Sequence, residues 1–154
     1  MKIIKYHKNY SDETVLMWRD SKEKAIGQKE IHSISDQKNY LDNKLSKDSD
    51  VYIAIEENKV VGMIAFNNTE ILQLYIHIAH QGKGIGKKLL DLAKSKSPGK
   101  LTLYTFDVNK RAQLFYEGNG FKIIGRYYEN EENLDDIKYE WIKEKNAHNN
   151  DQES

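Results

Sequence analysis

Between Glu70 and Phe106 the chain reads strand, glycine-rich joint, helix, strand, and that order leaves few folds open. Glu70 to Ile78 (EILQLYIHI) is an apolar run of strand length. Lys87 to Lys96 sets Leu89, Leu90, Leu92 and Ala93 on one helical face, and Leu101 to Phe106 (LTLYTF) is a second strand. Ser97-Pro98-Gly99 ends the helix between them. A helix that joins two strands of one sheet normally makes them parallel and crosses right-handedly. The first junction of this unit, Gln81-Gly82-Lys83-Gly84-Ile85-Gly86, carries three glycines.

The flanking sequence extends the sheet. Lys2 to Tyr6 (KIIKY) suits a first strand, Tyr10-Ser11-Asp12 starts a helix through Thr14 to Trp18, and Ser33-Ile34-Ser35-Asp36 starts another that keeps helical spacing to Leu45. Val51 to Ile55, a turn at Glu57-Asn58-Lys59 and Val60 to Phe66 form a hairpin. Asn67-Asn68-Thr69 turns this hairpin into the Glu70 strand as a three-strand meander. Asn109 opens a helix through Asn119, Gly120 caps it, and Phe121 to Tyr128 and Ile137 to Ile142 close the sheet. The fold class is α/β: a mixed sheet of about seven strands, antiparallel first and parallel at the centre, with helices on both faces. Residues 1–145 read as one domain, and the polar tail Asn146 to Ser154 as disordered.

Composition removes several functions. Lys plus Arg and Asp plus Glu number 24 each, so no net charge draws the chain to nucleic acid or to an anionic bilayer. With no cysteine, disulfides, Cys-ligated zinc, iron-sulfur clusters and thiol nucleophiles are excluded. No stretch has the length and apolarity of a signal segment or a membrane span, which points to a cytoplasmic protein with neither nucleic-acid nor membrane partners.

Glycines at a strand-to-helix joint let successive N–H groups converge on an anion at the positive end of a helix dipole. Lys83, Lys87 and Lys88 add charge suited to a pyrophosphate and a further phosphate. A plain glycine loop without a ligand is the competing reading, since short glycine patterns match by chance. A Walker loop fails because Gly86 is followed by Lys87-Lys88, and the dinucleotide fingerprint fails on glycine spacing and on the position of its strand.

One strand beyond the loop helix lies Asn109-Lys-Arg-Ala112-Gln-Leu-Phe115-Tyr116-Glu-Gly-Asn-Gly120-Phe121. Together the two elements resemble the GNAT superfamily of acetyl-CoA-dependent N-acetyltransferases, in the form of a single-domain bacterial-type member. The likeness covers about Val51 to Lys143. It implies a central parallel pair splayed apart, with acetyl-CoA in the opening as acetyl donor. Backbone groups of Leu74, Tyr75 and Ile76 would pair with the pantetheine arm, and the N–H groups of Gln81, Gly82, Lys83, Gly84, Ile85, Gly86 and Lys87 would hold the pyrophosphate. Asn109 would contact the cofactor arm, with Phe115 packed beside it. Tyr116 matches the family's tyrosine near the thioester sulfur, where it protonates the departing thiolate; packing as a core aromatic is its bland alternative.

An alkylammonium with a pKa of about 10.4 must lose a proton before it can attack. Glu70, eleven positions before Gln81, has the spacing found in the histone-acetylating branch, which implies it as the base; an ordinary solvated Glu at a strand start and a relay of the proton through water are the alternatives. Gln73, Tyr75 and His77 are alternatives on the same strand. His77 and His80 lack further ligands for a metal, so no metal is expected. Trp18, His32, Tyr127 and Tyr128 lie near segments that line the family's acceptor site, and the acidic Glu129 to Glu132 run with Asp135 and Asp136 could attract a cationic amine or simply be solvated. The implied reaction is direct acetyl transfer to a primary amine, on a small molecule or peptide, in a ternary complex; a homodimer is compatible with it. A non-catalytic acyl-CoA-binding or regulatory module and a phosphate-binding nucleotide protein are the other readings, and the acceptor matches no motif.

Overall fold

The structure, a computed structural model, describes residues 1–144, so the tail expected over Asn146 to Ser154 lies outside the described residues. Seven strands form two sheets. The first has the order β1 (Lys2–Lys5), β2 (Asp50–Glu56), β3 (Lys59–Phe66), β4 (Ile71–Ile76), all antiparallel. The second has β7 (Asp136–Ile142) between β5 (Lys100–Phe106) and β6 (Lys122–Tyr127). The hairpin turn between β2 and β3 is made by Glu57 and Asn58, both at positive φ, a twist that matches flanking strands.

A single parallel bridge, Glu70 to Thr102, joins the two sheets, supported by the Thr102 N–H donating to the Thr69 carbonyl at 2.9 Å. Beyond it, no further pairing links β4 to β5 among the described residues, so the sheet splits. The β3–β4 register also slips between Ala65 and Phe66, setting a bulge at the start of β4. β4 is therefore shorter than the Glu70 to Ile78 run suggested, because the chain leaves the ladder and makes a 3-10 turn over Ile78–His80.

Helices cover both faces. α1 (Ser11–Ile26) sets Val15, Met17 and Trp18 against Ile53, Met63 and Ala65 on one face. It ends at Gly27, whose φ of +74° suits a glycine and whose N–H donates to the Glu23 carbonyl. α2 (Ile34–Tyr40) begins at Ser33, which accepts from the Asp36 N–H at 3.0 Å, and runs through a π turn over Leu41–Leu45 into the short α3 (Ser46–Asp48). On the opposite face α4 (Ile85–Lys96) packs Leu89, Leu90 and Ala93 against Ile64 and Phe66. It starts two residues earlier than its apolar face suggested. Each fully buried leucine there contributes about 1.5–3 kcal/mol. α5 (Lys110–Gly118) is opened by Asn109, whose side-chain oxygen accepts from the Ala112 N–H at 3.2 Å, and it places Tyr116 in the same core. No helix among the described residues is long and apolar enough to cross a membrane.

Candidate active site in the split sheet

The split between β4 and β5 opens into a cleft of about 670 Å³. One wall is the half-buried end of β4, where Leu74, Tyr75 and Ile76 line the cleft. Leu74 and Ile76 pack toward α4, while Tyr75 packs toward α1, so the strand presents side chains to both faces and its backbone to the gap. Gln81 closes the end of this wall by donating from its amide to the Ile76 carbonyl at 3.0 Å, so one acceptor expected to pair with a ligand already carries a bond. The side-chain oxygen of Gln81 is buried without a partner.

The glycine joint forms the floor. Gly84 is the N-cap of α4 at a φ of +84°, a conformation that disfavours other residues, and no side chain caps the helix there. The Gln81 N–H is engaged with the Ile78 carbonyl at 3.4 Å, whereas the amides from Gly82 to Lys87 donate to no protein acceptor among the described residues. These free donors lie where the helix dipole favours an anion. Gln81, Gly82, Gly84, Ile85, Gly86 and Lys87 line the cleft, but Lys83 does not. Lys83 approaches Glu56 at 3.8 Å and Lys87 pairs with Asp91 at 2.8 Å, so both ammonium groups are partly engaged on the surface.

Across the gap, α5 brings Asn109, Phe115 and Tyr116 to the cleft. The oxygen of Asn109 is occupied as the helix cap, which leaves its amide nitrogen for any ligand. Phe115 lies so close to Gly86 that a β-carbon there would sit 3.3 Å from its ring, which explains a glycine at the second turn position of α4. Tyr116 is 6% exposed, with its ring among Phe115, Phe121 and Tyr139. Its hydroxyl bonds to none of the described residues and is not enclosed, so it faces the cleft. Burial pushes its phenol well above the ordinary tyrosine value and keeps it protonated. Tyr75 is raised likewise, first by burial, then by the nearby Tyr116, Glu132, Glu30 and Asp136.

Glu70 is half-buried at the bridge between the sheets and does not line the cleft. Its N–H donates to the Asn67 side chain at 2.8 Å, which fixes the turn before β4. Other candidates fall elsewhere. Trp18, expected near an acceptor, is 5% exposed in the α1 core beside Tyr40. Tyr127 stacks edge-on against Tyr104, and both Tyr127 and Tyr128 are exposed away from the cleft. His32 pairs with Glu131 at 3.1 Å and His77 with Asp20 at 3.1 Å, whereas His80 lines the cleft and pairs with Glu56 at 3.0 Å. Among the described residues no three His, Asp or Glu side chains gather as metal ligands. Sequence reasoning missed the α1 wall, where Ser21, Lys24 and Ala25 line the cleft, and the basic start of α5 at Lys110 and Arg111. The Lys110-Arg111 pair directly after Asn109 was the available signal; the α1 residues had none, because they read as an ordinary polar helix face.

Residues 47–123 match the family model of the acetyltransferase (GNAT) domain. A peptidyl-lysine N-acetyltransferase, YjaB of Salmonella typhimurium, is 32% identical over 77 residues, 49% of this chain and 52% of that protein. The match thus spans about half the length of this curated relative. Among solved structures, apo YjaB of Escherichia coli superposes with a TM-score of 0.74 at 20% identity, covering 93% of this chain and 98% of that one. The PaiA N-acetyltransferase of Thermoplasma acidophilum in complex with coenzyme A gives 0.69 at 23% identity, covering 92% and 98%. YncA of Salmonella typhimurium with acetyl-CoA gives 0.70 at 18% identity, covering 96% of each chain. The family match begins just before β2 and ends in β6, and so takes in the split, the glycine joint and α5. The protein belongs to the GNAT acetyltransferase family.

Proposed function

We propose that the protein transfers an acetyl group from acetyl-CoA to a primary amine by direct attack in a ternary complex. The reading rests above all on Tyr116, which lines the split of the sheet and whose phenol burial keeps protonated. The free amides from Gly82 to Lys87 suit the diphosphate of the coenzyme, and the end of β4 suits its amide-bearing arm as an added strand. In this reading the amine nitrogen attacks the thioester carbonyl, whose developing oxyanion is held by a backbone N–H of β4. The carbon–sulfur bond then breaks, and Tyr116 gives its proton to the departing thiolate. Glu70, which lies at the closed end of the split outside the cleft lining, takes the amine proton through water. With no cysteine in the chain, no thioester can form on the enzyme. Peptidyl-lysine, the acceptor named for the YjaB relative, is one acceptor to assay first.

The test is incubation with acetyl-CoA and a panel of alkylamines and lysine peptides, with detection of free thiol and of the acetylated product by mass spectrometry. Amine-dependent thiol release is the expected result. Coenzyme binding by calorimetry without turnover on any amine would leave only a binding module, and no binding at millimolar coenzyme would remove the reading altogether.

A further inference from the structure

His80 is a cleft residue that the transfer chemistry leaves unused. It ends the 3-10 turn Ile78–His80, directly before the glycine joint, and lines the cleft together with Gln81 and Gly82. Its N–H donates to the His77 carbonyl at 2.8 Å, which fixes the backbone of the turn. Its ring Nδ1 lies 3.0 Å from the carboxylate of Glu56 at the end of β2, and the two side chains are 24% and 26% exposed. A carboxylate only accepts, so the Nδ1 proton sits in this bond. Nε2 has no partner among the described residues, and Glu56 itself does not line the cleft. The pair therefore fixes the ring and leaves Nε2 as its free polar atom.

The charge around the ring favours an anion. Lys24, Lys87, Lys110 and Arg111 line the cleft, and no Asp or Glu does among the described residues, although the chain carries 24 acidic residues against 24 basic ones. The amides without a protein acceptor begin at Gly82, two positions after His80. On β2, Glu56 is also approached by Lys83 of the joint at 3.8 Å and feels the amino terminus of the chain. Its bond with His80 holds its carboxyl below the ordinary carboxylate range, so it stays ionised while an imidazole titrates. His77, with its ring centre 6.1 Å from that of His80, pairs through Nε2 with Asp20 of α1 at 3.1 Å, and Asp20 also holds Lys24 at 3.1 Å. The His77 Nδ1 accepts from the Ala79 N–H at 3.2 Å, a bond that only an unprotonated nitrogen makes. Acid thus loosens the turn at His77 but favours an anion at His80, and the two effects have opposite signs.

We propose that His80 is a coenzyme-binding residue: Glu56 orients its ring so that the Nε2–H of the imidazolium donates to the diphosphate, and coenzyme binding takes up a proton. This rests on the coenzyme reading of the glycine joint. A charge-assisted bond of this kind forms with the protonated ring and lapses with the neutral one, whose single proton stays with Glu56. Affinity is therefore full below the imidazole range, about pH 5.5–7.5, and falls as pH rises through it.

The experiment is calorimetry with dephospho-coenzyme A, whose diphosphate has no proton to gain in this range and which lacks the ribose phosphate that does. Wild type should bind about fivefold more tightly at about pH 5.5 than at about pH 7.5, and midway the heats in Pipes and in bis-Tris should differ as proton uptake requires. His80→Gln, which keeps a side-chain amide for Glu56, should bind equally at both pH values and match wild type at the higher one within about twofold. Glu56→Gln keeps an acceptor for Nδ1 but removes the charge that favours the imidazolium, so it should move the dependence to lower pH. Pantetheine, without phosphates, should show no such dependence. A wild-type Kd that is flat across this range overturns the proposal, and so does a dependence that survives in His80→Gln, where His77 is unchanged. Absence of binding at every pH removes the coenzyme reading itself, and a flat but measurable Kd removes only the role of His80.

Discussion

Tyr116→Phe separates a catalytic hydroxyl from a packing ring, because the two roles predict opposite signs. The ring lies 5.3 Å from Phe115, 5.6 Å from Phe121 and 6.1 Å from Tyr139, centroid to centroid, and phenylalanine keeps all three contacts. A buried hydroxyl without a partner costs about 1–3 kcal/mol in a closed core, and opening to the cleft reduces that to about 0–1 kcal/mol. The variant is therefore expected to be as stable as wild type or more so, by up to about 4 °C in Tm. Its rate of thiol release should fall by about 10²–10⁴, equivalent to roughly 3–5 kcal/mol in the barrier, with coenzyme affinity nearly unchanged. Because burial holds the phenol above its ordinary value of about 10, wild type should show no loss of rate at neutral or mildly alkaline pH from ionisation of this residue. Stopped-flow thiol detection and a thermal melt on the same preparations give both numbers. A variant that keeps its rate within about threefold, or melts several degrees lower, refutes the reasoning for Tyr116.

Gly86→Ala should fold, since alanine gains about 1 kcal/mol in helix propensity, but its β-carbon would lie 3.3 Å from Phe115 and 3.6 Å from Ile76, narrowing the cleft. Calorimetry should show coenzyme affinity reduced about tenfold or more, and an unchanged Kd would show that nothing passes between these residues. Asp136 is raised to about 6, first by burial and further by Glu132, against a hydrogen bond from Asn130. Its folded pKa exceeds its unfolded one, so the folded state holds the extra proton between about pH 4 and 6 and loses stability as pH rises through that window. Asp136→Asn should remove this slope and be more stable than wild type at pH 7.5 by about 1 kcal/mol after allowance for partial exposure, with a smaller gain at pH 4 in urea melts.

Local rules carried most of the elements. The Ser33 cap, the Glu57-Asn58 turn and the positive φ at Gly84 follow from residues within a few positions, and all are where short-range chemistry puts them. Trp18 shows the limit: its spacing with Val15 fits a buried helix face as well as a binding wall, and only the packing of α1 on β3 decides for the core. The ion pairs of Lys22 with Glu30 and Glu132, at 3.1 and 2.9 Å, were illegible for another reason. Lys22 and Glu132 are 110 positions apart, and each alone looks like a solvated surface charge. The bulge at the start of β4 left no mark either, since it depends on a register with β3 that alternation alone cannot fix.

The single bridge between Glu70 and Thr102 explains why the remaining parts need one another. A strand end such as Leu74 to Ile76, half-buried and with an unpaired edge, carries backbone groups that protein interiors rarely leave unsatisfied. Beyond the Glu70–Thr102 bridge β5 pairs with none of them among the described residues, and Phe115 lines the cleft close to Gly86. In the proposed reading an extended chain with its own amides, entering from the glycine joint, would satisfy the strand edge while its charged end meets the free N–H groups at the start of α4. In that reading such a ligand ends near Tyr116, and burial keeps both Tyr116 and Tyr75, which line the cleft, protonated and able to donate. On the proposed reading the split is thus the place in the sheet that a strand-like cosubstrate would complete.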